Sequence, residues 1–222
     1  MNKLNHVAFI MDGNGRWGKK RKKSRNFGHL SGVSTVKKIV TTSIKLKIPV
    51  ITFYVFSTEN WKRPKTEINF LFRLIIDYFE REIKNVVSNG IKINLIGNIK
   101  PLPKKIKFSL KKTTQLTKKN SKIIVNLAIN YGSKDEIVNA LRNLKTKITI
   151  KKLEKKLYTK NLPDPDILIR TGGHKRLSNF MLWQLAYTEI YFLEKLWPDF
   201  NSTDFKKIIF NYKKIKRNFG AI

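Results

Sequence analysis

Val50-Ile-Thr-Phe-Tyr-Val-Phe-Ser-Thr-Glu-Asn-Trp-Lys-Arg63 opens with seven β-branched or aromatic residues and closes with a polar cluster around one tryptophan. An uncharged run of this kind reads as a strand buried on both faces, and the change at Ser57 places a polar loop at its carboxyl end. Working outward, similar short runs at 7–11, 91–96, 123–129 and 167–169 read as further buried strands. The stretches between them carry helical patterns at 32–45, 67–88, 104–116, 134–144, 151–158 and 203–214. Strands joined through helices over such distances predict an α/β fold, a mainly parallel sheet flanked by helices on both faces. No repeat, linker or low-complexity block interrupts residues 1–222, so a single domain is expected.

In a parallel sheet, ligands bind outside the carboxyl ends of the strands. Three polar clusters fall there. Met11-Asp-Gly-Asn-Gly-Arg-Trp17 follows the first strand, Ser57-Thr-Glu-Asn-Trp-Lys-Arg63 the second, and Arg170-Thr-Gly-Gly173 the last. In the first, Gly13 and Gly15 permit close backbone approach to a phosphate and Arg16 adds a charge-assisted contact. Asp12 repels an anion but can hold a magnesium ion that takes the rest of its shell from phosphate oxygens and water. A plain Asn-Gly turn is the alternative for this segment. Arg25 and His29 come next, and Arg170, Arg176 and Ser178 form a second cluster able to hold a second diphosphate. Segment 67–88 is apolar over more than one face, which suits either a helix buried between sheet and neighbours or one that partly lines a hydrocarbon channel.

Composition narrows the function classes. Cysteine is absent, which excludes disulfides, thiolate metal sites and cysteine nucleophiles. No segment reaches the roughly 18 consecutive apolar residues of a membrane span, so a cytoplasmic protein is expected. The formal charge of +32 would attract any polyanion. Yet 37 of the 47 basic residues are Lys, dispersed in pairs such as Lys37-Lys38 and Lys206-Lys207, as on solvated helix faces. No nucleic-acid-binding module is recognisable, and no specific nucleic-acid partner is expected. Against so many lysines the seven Asp and eight Glu are informative, and Asp12, Glu59 and Glu189 each sit beside apolar sequence.

Taken together, His6-Val-Ala-Phe-Ile-Met-Asp-Gly-Asn-Gly-Arg-Trp17, Phe27-Gly-His29, Tyr54-Val-Phe-Ser-Thr-Glu-Asn-Trp-Lys-Arg-Pro64, Asn126-Leu-Ala-Ile-Asn-Tyr-Gly132, Asp166-Ile-Leu-Ile-Arg-Thr-Gly-Gly173, Arg176-Leu-Ser-Asn-Phe180 and Trp197-Pro-Asp-Phe200 resemble the cis-prenyltransferases, and within them the undecaprenyl diphosphate synthases. The resemblance spans nearly the whole chain. It implies a homodimer with a hydrophobic tunnel that condenses farnesyl diphosphate with successive isopentenyl diphosphates into a long cis-polyprenyl diphosphate, using magnesium. Such a product feeds the cell-wall carrier lipid, and its hydrophobicity suggests transient membrane-surface contact on release.

Carried over by position, Asp12 is the metal-linked catalytic residue. Gly13, Asn14, Gly15, Arg16, Trp17, Arg25 and His29 hold the allylic diphosphate, while Ser57, Thr58, Glu59, Trp61 and Arg63 shape the site. Arg170, Arg176, Leu177 and Ser178 bind isopentenyl diphosphate, and Glu189 helps hold magnesium from the partner subunit. Asn60 aligns with the family's candidate proton acceptor. A neutral amide is a very weak base, so Asn60 is expected to position the acceptor instead. One departure stands out: His174 and Lys175 follow Gly173 where the family typically carries Glu. A non-catalytic member of the same fold is the rival reading, and Asp12, Asn60 and Arg176 argue against it. Trans-type enzymes need Asp-Asp-x-x-Asp helices, and this chain has no Asp-Asp.

Overall fold

The computed structural model describes residues 2–142, 144 and 147–217. Its centre is a six-stranded sheet formed by β1 (His6–Ile10), β2 (Val50–Ser57), β3 (Ile91–Ile96), β4 (Ile123–Tyr131), β5 (Ile167–Arg170) and β6 (Glu189–Phe192). The order is β3-β4-β2-β1-β5-β6, and every pairing is parallel. The helices are α1 (Asn14–Lys20), α2 (Arg25–Lys45), α3 (Lys65–Ser88), α4 (Lys104–Thr117), α5 (Ser133–Arg142), α6 (Ile150–Glu154) and α7 (Ser202–Lys214). The expected helix at 134–144 thus ends at Arg142, and its position 143 lies outside the described residues.

Alternation along the strands separates two cores. Val7, Phe9, Ile51, Phe53 and Val125 face one side, packed with Ile39 of α2, Phe72 of α3 and Phe205 of α7. Phe9 and Phe53, opposite each other in register, stack at 5.1 Å. Ala8, Ala128 and Leu168 face the other side, under Phe180, Met181 and Leu185. Because both faces are covered, the central strands read as continuous apolar runs.

Three features differ from the sequence expectation. Residues 14–20 form a short helix where glycines suggested only a loop, and Gly28 explains how it packs. A Cβ on Gly28 would lie 1.9 Å from the backbone oxygen of Asn14, so only glycine lets α1 meet α2 this closely. Helix α2 starts at Arg25 rather than 32, because the Ser24 hydroxyl accepts a hydrogen bond from Phe27 N and caps it. Strand β6 has four residues, and Glu189 at its start broke the apolar pattern that marked the other strands.

Two backbone irregularities shape the carboxyl edge of the sheet. The register between β2 and β4 shifts at Tyr54/Phe56 and again at Phe56/Ser57, a bulge-like break where the polar cluster begins. Ser178, Asn179 and Met181 all adopt positive φ, between 47° and 61°, in the loop that returns toward Asp12. Non-glycine residues rarely do so, and their clustering suits a loop held for function rather than packing.

Candidate active site

Asp12 stands just beyond β1, and its place is fixed by its main chain: its carbonyl accepts from Trp197 N at 3.0 Å and from the Thr171 hydroxyl at 2.8 Å. Gly13 then turns with φ of 107°, a left-handed conformation in which a side chain would strike Leu196. The Asp12 carboxylate is bracketed by two arginines. Oδ1 takes Arg16 Nη2 at 3.1 Å and Oδ2 takes Arg170 Nη2 at 2.9 Å. Burial raises the Asp12 pKa, but the Arg170 hydrogen bond and the Arg16 charge outweigh it, so the carboxyl titrates below its ordinary value. Asp12 is therefore an anion at neutral pH.

Arg170 is nearly buried and heavily engaged. Besides Asp12 it donates to the Ser178 hydroxyl at 2.8 Å and to the Arg176 carbonyl, while its Nε has no partner. Arg16 also donates to the Gly172 carbonyl at 2.7 Å. Clusters from the ends of β1 and β5 are thereby tied into one unit.

A second carboxylate hub lies across the site at the start of α3. Glu67 receives Arg25 at 3.2 Å and Arg63 at 3.2 Å, and His29 Nε2 stands 3.4 Å away, out of line for a hydrogen bond. Burial, then the nearby charge of Arg63, lowers the His29 pKa to about 4, so the ring is neutral at pH 7. Glu67 was not singled out from sequence. Its only sequence signal is Arg63 four residues earlier.

Between the hubs lies a cavity of about 570 Å³. Asp12, Asn14, His29, Ser57, Glu59, Asn60, Arg63, Arg170, Arg176 and Ser178 all line it, ten of the residues selected from sequence. Asn60 Oδ1 accepts from Ser57 N at 3.1 Å, which leaves its amide NH₂ as the group available to a ligand. Glu59 accepts from Asn179 at 2.9 Å. Gly13 and Gly15 do not line it, Gly13 packing on Leu196 and Gly15 on Arg25, and Arg16 and Arg25 are held on the two carboxylates.

Other selected residues lie elsewhere. Trp17 donates to Asp199 at 2.7 Å and stacks on Phe27 with Arg21 over its ring, on the outer side of α1. Thr58 and Trp61 face a separate polar cavity, where Trp61 donates to Asn130 at 2.8 Å. Leu177 packs on the second core. Glu189 pairs with Ile167 at the opposite end of the strands from Arg170, so within one chain it does not meet Asp12.

Met11, Asn14, His29, Val55 and Leu71 line both the polar cavity and an adjoining apolar one of about 140 Å³. Leu74, Ile75, Tyr78 and Phe79 of α3 wall the apolar space. Of segment 67–88, Ile68 and Phe72 enter the core, while Leu71, Leu74, Ile75, Tyr78 and Phe79 line the apolar cavity. The side-chain oxygen of Asn14 and the His29 Nε2, at the junction, are buried without hydrogen-bond partners. Unpaired polar atoms at such a place call for a polar ligand group. A polar cavity carrying three arginines thus adjoins an apolar one.

The donor set also fits magnesium. Asp12 is ionised and faces the cavity, and magnesium characteristically takes one or two protein carboxylates with phosphate oxygens and water completing its shell. Among the described residues no group of three His, Cys, Asp or Glu is gathered that could hold a metal ion.

Comparison with known proteins agrees with this chemistry. A prenyltransferase family described as "Putative undecaprenyl diphosphate synthase" matches residues 10–220. An isoprenyl transferase of Oceanobacillus iheyensis is 44% identical over 227 residues, covering 98% of this chain and 90% of the relative. One from Rickettsia bellii is 43% identical over 224 residues, covering 99% of each. Among solved structures, a probable undecaprenyl diphosphate synthase of Campylobacter jejuni is 36% identical with a TM-score of 0.85, covering 99% of this chain and 100% of that one. Lavandulyl diphosphate synthase of Lavandula x intermedia, in complex with dimethylallyl diphosphate, is 35% identical with a TM-score of 0.93, covering 97% and 98%. The chain therefore belongs to the undecaprenyl diphosphate synthase family of prenyltransferases.

Proposed function

We propose that this prenyltransferase condenses farnesyl diphosphate with successive isopentenyl diphosphates, in the presence of magnesium, to a long cis-polyprenyl diphosphate such as undecaprenyl diphosphate. The observation that carries the reading is that a cavity lined by Arg63, Arg170 and Arg176 adjoins an apolar one and shares five lining residues with it. A substrate with a charged head and a growing tail needs both. In this reading the enzyme works in the cytoplasm as a homodimer, in which Glu189 of one chain serves the other's site, and supplies the cell-wall carrier lipid. Among the described residues no helix is long and apolar enough to cross a membrane, so contact with a bilayer for product release would be made at its surface.

The roles of the side chains follow from their surroundings. Asn14, whose NH₂ donates to Met11 O at 3.2 Å, and neutral His29, whose Nε2 lies 3.4 Å from Glu67, stand at the neck where an allylic diphosphate would enter with its tail in the apolar cavity. Arg63 and Arg176 supply positive charge from the cavity wall. Arg16 and Arg170 are held by Asp12 at the position where negative charge grows as the allylic carbon–oxygen bond lengthens. When bound to Asp12, magnesium would neutralise the departing diphosphate. Attack by the isopentenyl double bond on the allylic carbon leaves a proton to be lost from the adjacent carbon. Asn60 cannot take it, but its free NH₂ can hold a water or diphosphate oxygen that does.

Incubating the purified protein with farnesyl diphosphate and labelled isopentenyl diphosphate, with magnesium or a chelator, tests the reading. Magnesium-dependent, chain-lengthened product is expected. Absence of incorporation by folded protein would sink it.

A further inference from the structure

From Ile83 to Lys134 the chain carries twelve lysines and no Asp, Glu or Arg. Elsewhere lysines meet carboxylates, Lys37 on Glu82 at 2.9 Å and Lys195 on Asp204 at 2.8 Å. Among the described residues none of these twelve forms an ion pair. The segment includes β3, the edge strand of the sheet, and α4, which packs on β3 and α3. Its charge is therefore gathered at one edge of the fold. Lys104, Lys105, Lys111, Lys112, Lys118 and Lys119 are all exposed, on α4 or just beyond it.

Helix α4 turns Ile106, Leu110, Thr113 and Thr117 inward. Phe108 lies between Ile106 and Leu110 in sequence, about 160° around the helix from each. Its side chain is 70% exposed. The positions three and four residues before and after it, its neighbours on the helix surface, are Lys104, Lys105, Lys111 and Lys112. The exposed Phe210 has Lys214 over its ring at 4.0 Å, whereas among the described residues no cation covers Phe108. Leu116 and Val87, both exposed, extend the apolar surface toward the far end of α4, where Asn120 donates to the Val87 carbonyl at 3.3 Å. A lone exposed apolar residue needs no explanation, and a run of lysines alone is an ordinary solvated face. The two together, with no carboxylate among them, match a helix that lies on a lipid surface. The ring suits the boundary between headgroups and acyl chains, and the lysines have apolar stems that let their ammonium groups reach the phosphates. A duplex nucleic acid would use the lysines and leave Phe108 in water.

We propose that the outer face of α4 docks this protein on a bilayer containing anionic phospholipid, with Phe108 entering the headgroup boundary and Lys104, Lys105, Lys111 and Lys112 pairing with lipid phosphates. This rests on the reading that a polyprenyl diphosphate is released at a bilayer, and it names the surface that makes the contact. In the strand order β3 lies at the opposite edge from β6, which carries Glu189, so the face stays clear of the residue that the proposed homodimer would share. Helix α4 contributes no residue to the polar or the apolar cavity, so docking leaves the site open.

Co-sedimentation of the full chain with vesicles of phosphatidylglycerol and phosphatidylcholine tests the proposal. The wild type should bind, more weakly as salt rises, and about 100-fold less tightly when the vesicles are phosphatidylcholine alone. Phe108→Ser should cost about tenfold. Lys104→Gln, Lys105→Gln, Lys111→Gln and Lys112→Gln together should cost more than about 100-fold, since each lysine near an anionic leaflet is worth roughly fivefold. A matched variant, Lys151→Gln, Lys152→Gln, Lys155→Gln and Lys156→Gln, removes the same charge from exposed positions in and beside α6 and should cost little. Thermal denaturation establishes that each variant is folded. If the two fourfold variants bind alike and Phe108→Ser matches wild type, only net charge is at work and the proposal is overturned, as it is by an absence of binding to the anionic vesicles. Variants of α4 that lose duplex RNA and keep the vesicles overturn it in favour of a nucleic-acid partner. Turnover on soluble substrates should be the same in all variants. A chain that docks through α4 but incorporates no isopentenyl units overturns the proposed reaction and leaves the docking face standing.

Discussion

Two carboxylates, Asp12 in the lining of the polar cavity and Glu67 behind its lining residues His29 and Arg63, each gather cations, but they are built differently. Asp12 grips Arg170, whose side chain is 4% exposed and which in turn grips the loop at Ser178, along with the outer Arg16, whose side chain is 42% exposed. Glu67 holds Arg25 and Arg63, whose side chains are 44% and 33% exposed. An exposed pair is worth little and separates readily, whereas a buried arginine deprived of its counter-charge is costly. The Asp12 side is thus a fixed electrostatic frame. In the proposed reaction the Glu67 side is a reserve of cations for a diphosphate to recruit.

The sharpest way to break this contrast is Asp12→Asn. It removes the anion while preserving shape, leaving Arg16 and Arg170 without the charge that positions them. Turnover should fall by roughly 10²- to 10³-fold, equivalent to about 3–4 kcal/mol of transition-state stabilisation. Steady-state kinetics, with thermal denaturation to establish folding, check it. A fall below tenfold would mean that Asp12 is only structural.

The next prediction compares two buried histidines. His6 bonds Pro163 O and Thr52 within the fold, while His29 stands unpaired at the site, and burial is the first cause that lowers each to about 4. The sign is the same for both: between about pH 6.5 and 4 the unfolded chain binds more protons than the folded one, so stability is full above pH 6.5 and drains away as the pH falls toward 4. Each shift corresponds to about 3 kcal/mol. His29→Asn should remove one share of the acid loss in denaturant titrations, leaving that of His6. Added inorganic diphosphate, which favours protonated His29, should flatten the slope in wild type and leave it unchanged in His29→Asn. An identical slope in variant and wild type would refute the assignment.

The two hubs also differed in how much of them could be read in the sequence. Asp12 was legible because it ends a buried strand, and the parallel topology inferred from β-branched runs brings such ends together. Glu67 was not, because Arg25 lies 42 residues away and their meeting depends on how α2 crosses α3. Periodicity carries no record of such a contact. Likewise β6 escaped notice because four residues with a leading Glu make no apolar run, and α1 because its glycines serve tight packing rather than a loop. Trp17 reads from sequence as part of the phosphate loop, but its helix turns it outward onto Asp199.

Glu67→Gln sharpens the contrast from the weaker side. It leaves Arg25 and Arg63 in place without their anchor, so the cations remain available but less well oriented. Half-saturation for the allylic diphosphate should rise about tenfold, near 1.4 kcal/mol, with turnover changed much less. Equal losses in turnover for Glu67→Gln and Asp12→Asn would erase the distinction between frame and reserve.

The smallest effect is expected at His174, where this chain departs from the family's usual Glu. The loop is pinned to the strand edge, since Gly173 N donates to Leu193 O at 2.9 Å, and Glu194 lies so close that a Cβ on Gly173 would meet its carboxylate at 2.5 Å. A carboxylate therefore already stands beside the loop, contributed by the segment after β6. His174→Glu adds a second negative charge near it, and Lys175 next in sequence partly offsets that charge. The loop is partly exposed, so solvent and salt weaken the change. The apparent magnesium requirement should fall by about twofold and half-saturation for isopentenyl diphosphate should rise by a similar factor, both fading as ionic strength increases. A magnesium titration that superimposes on wild type at low salt would show that this loop, unlike the Asp12 frame it adjoins, has no electrostatic share in the site.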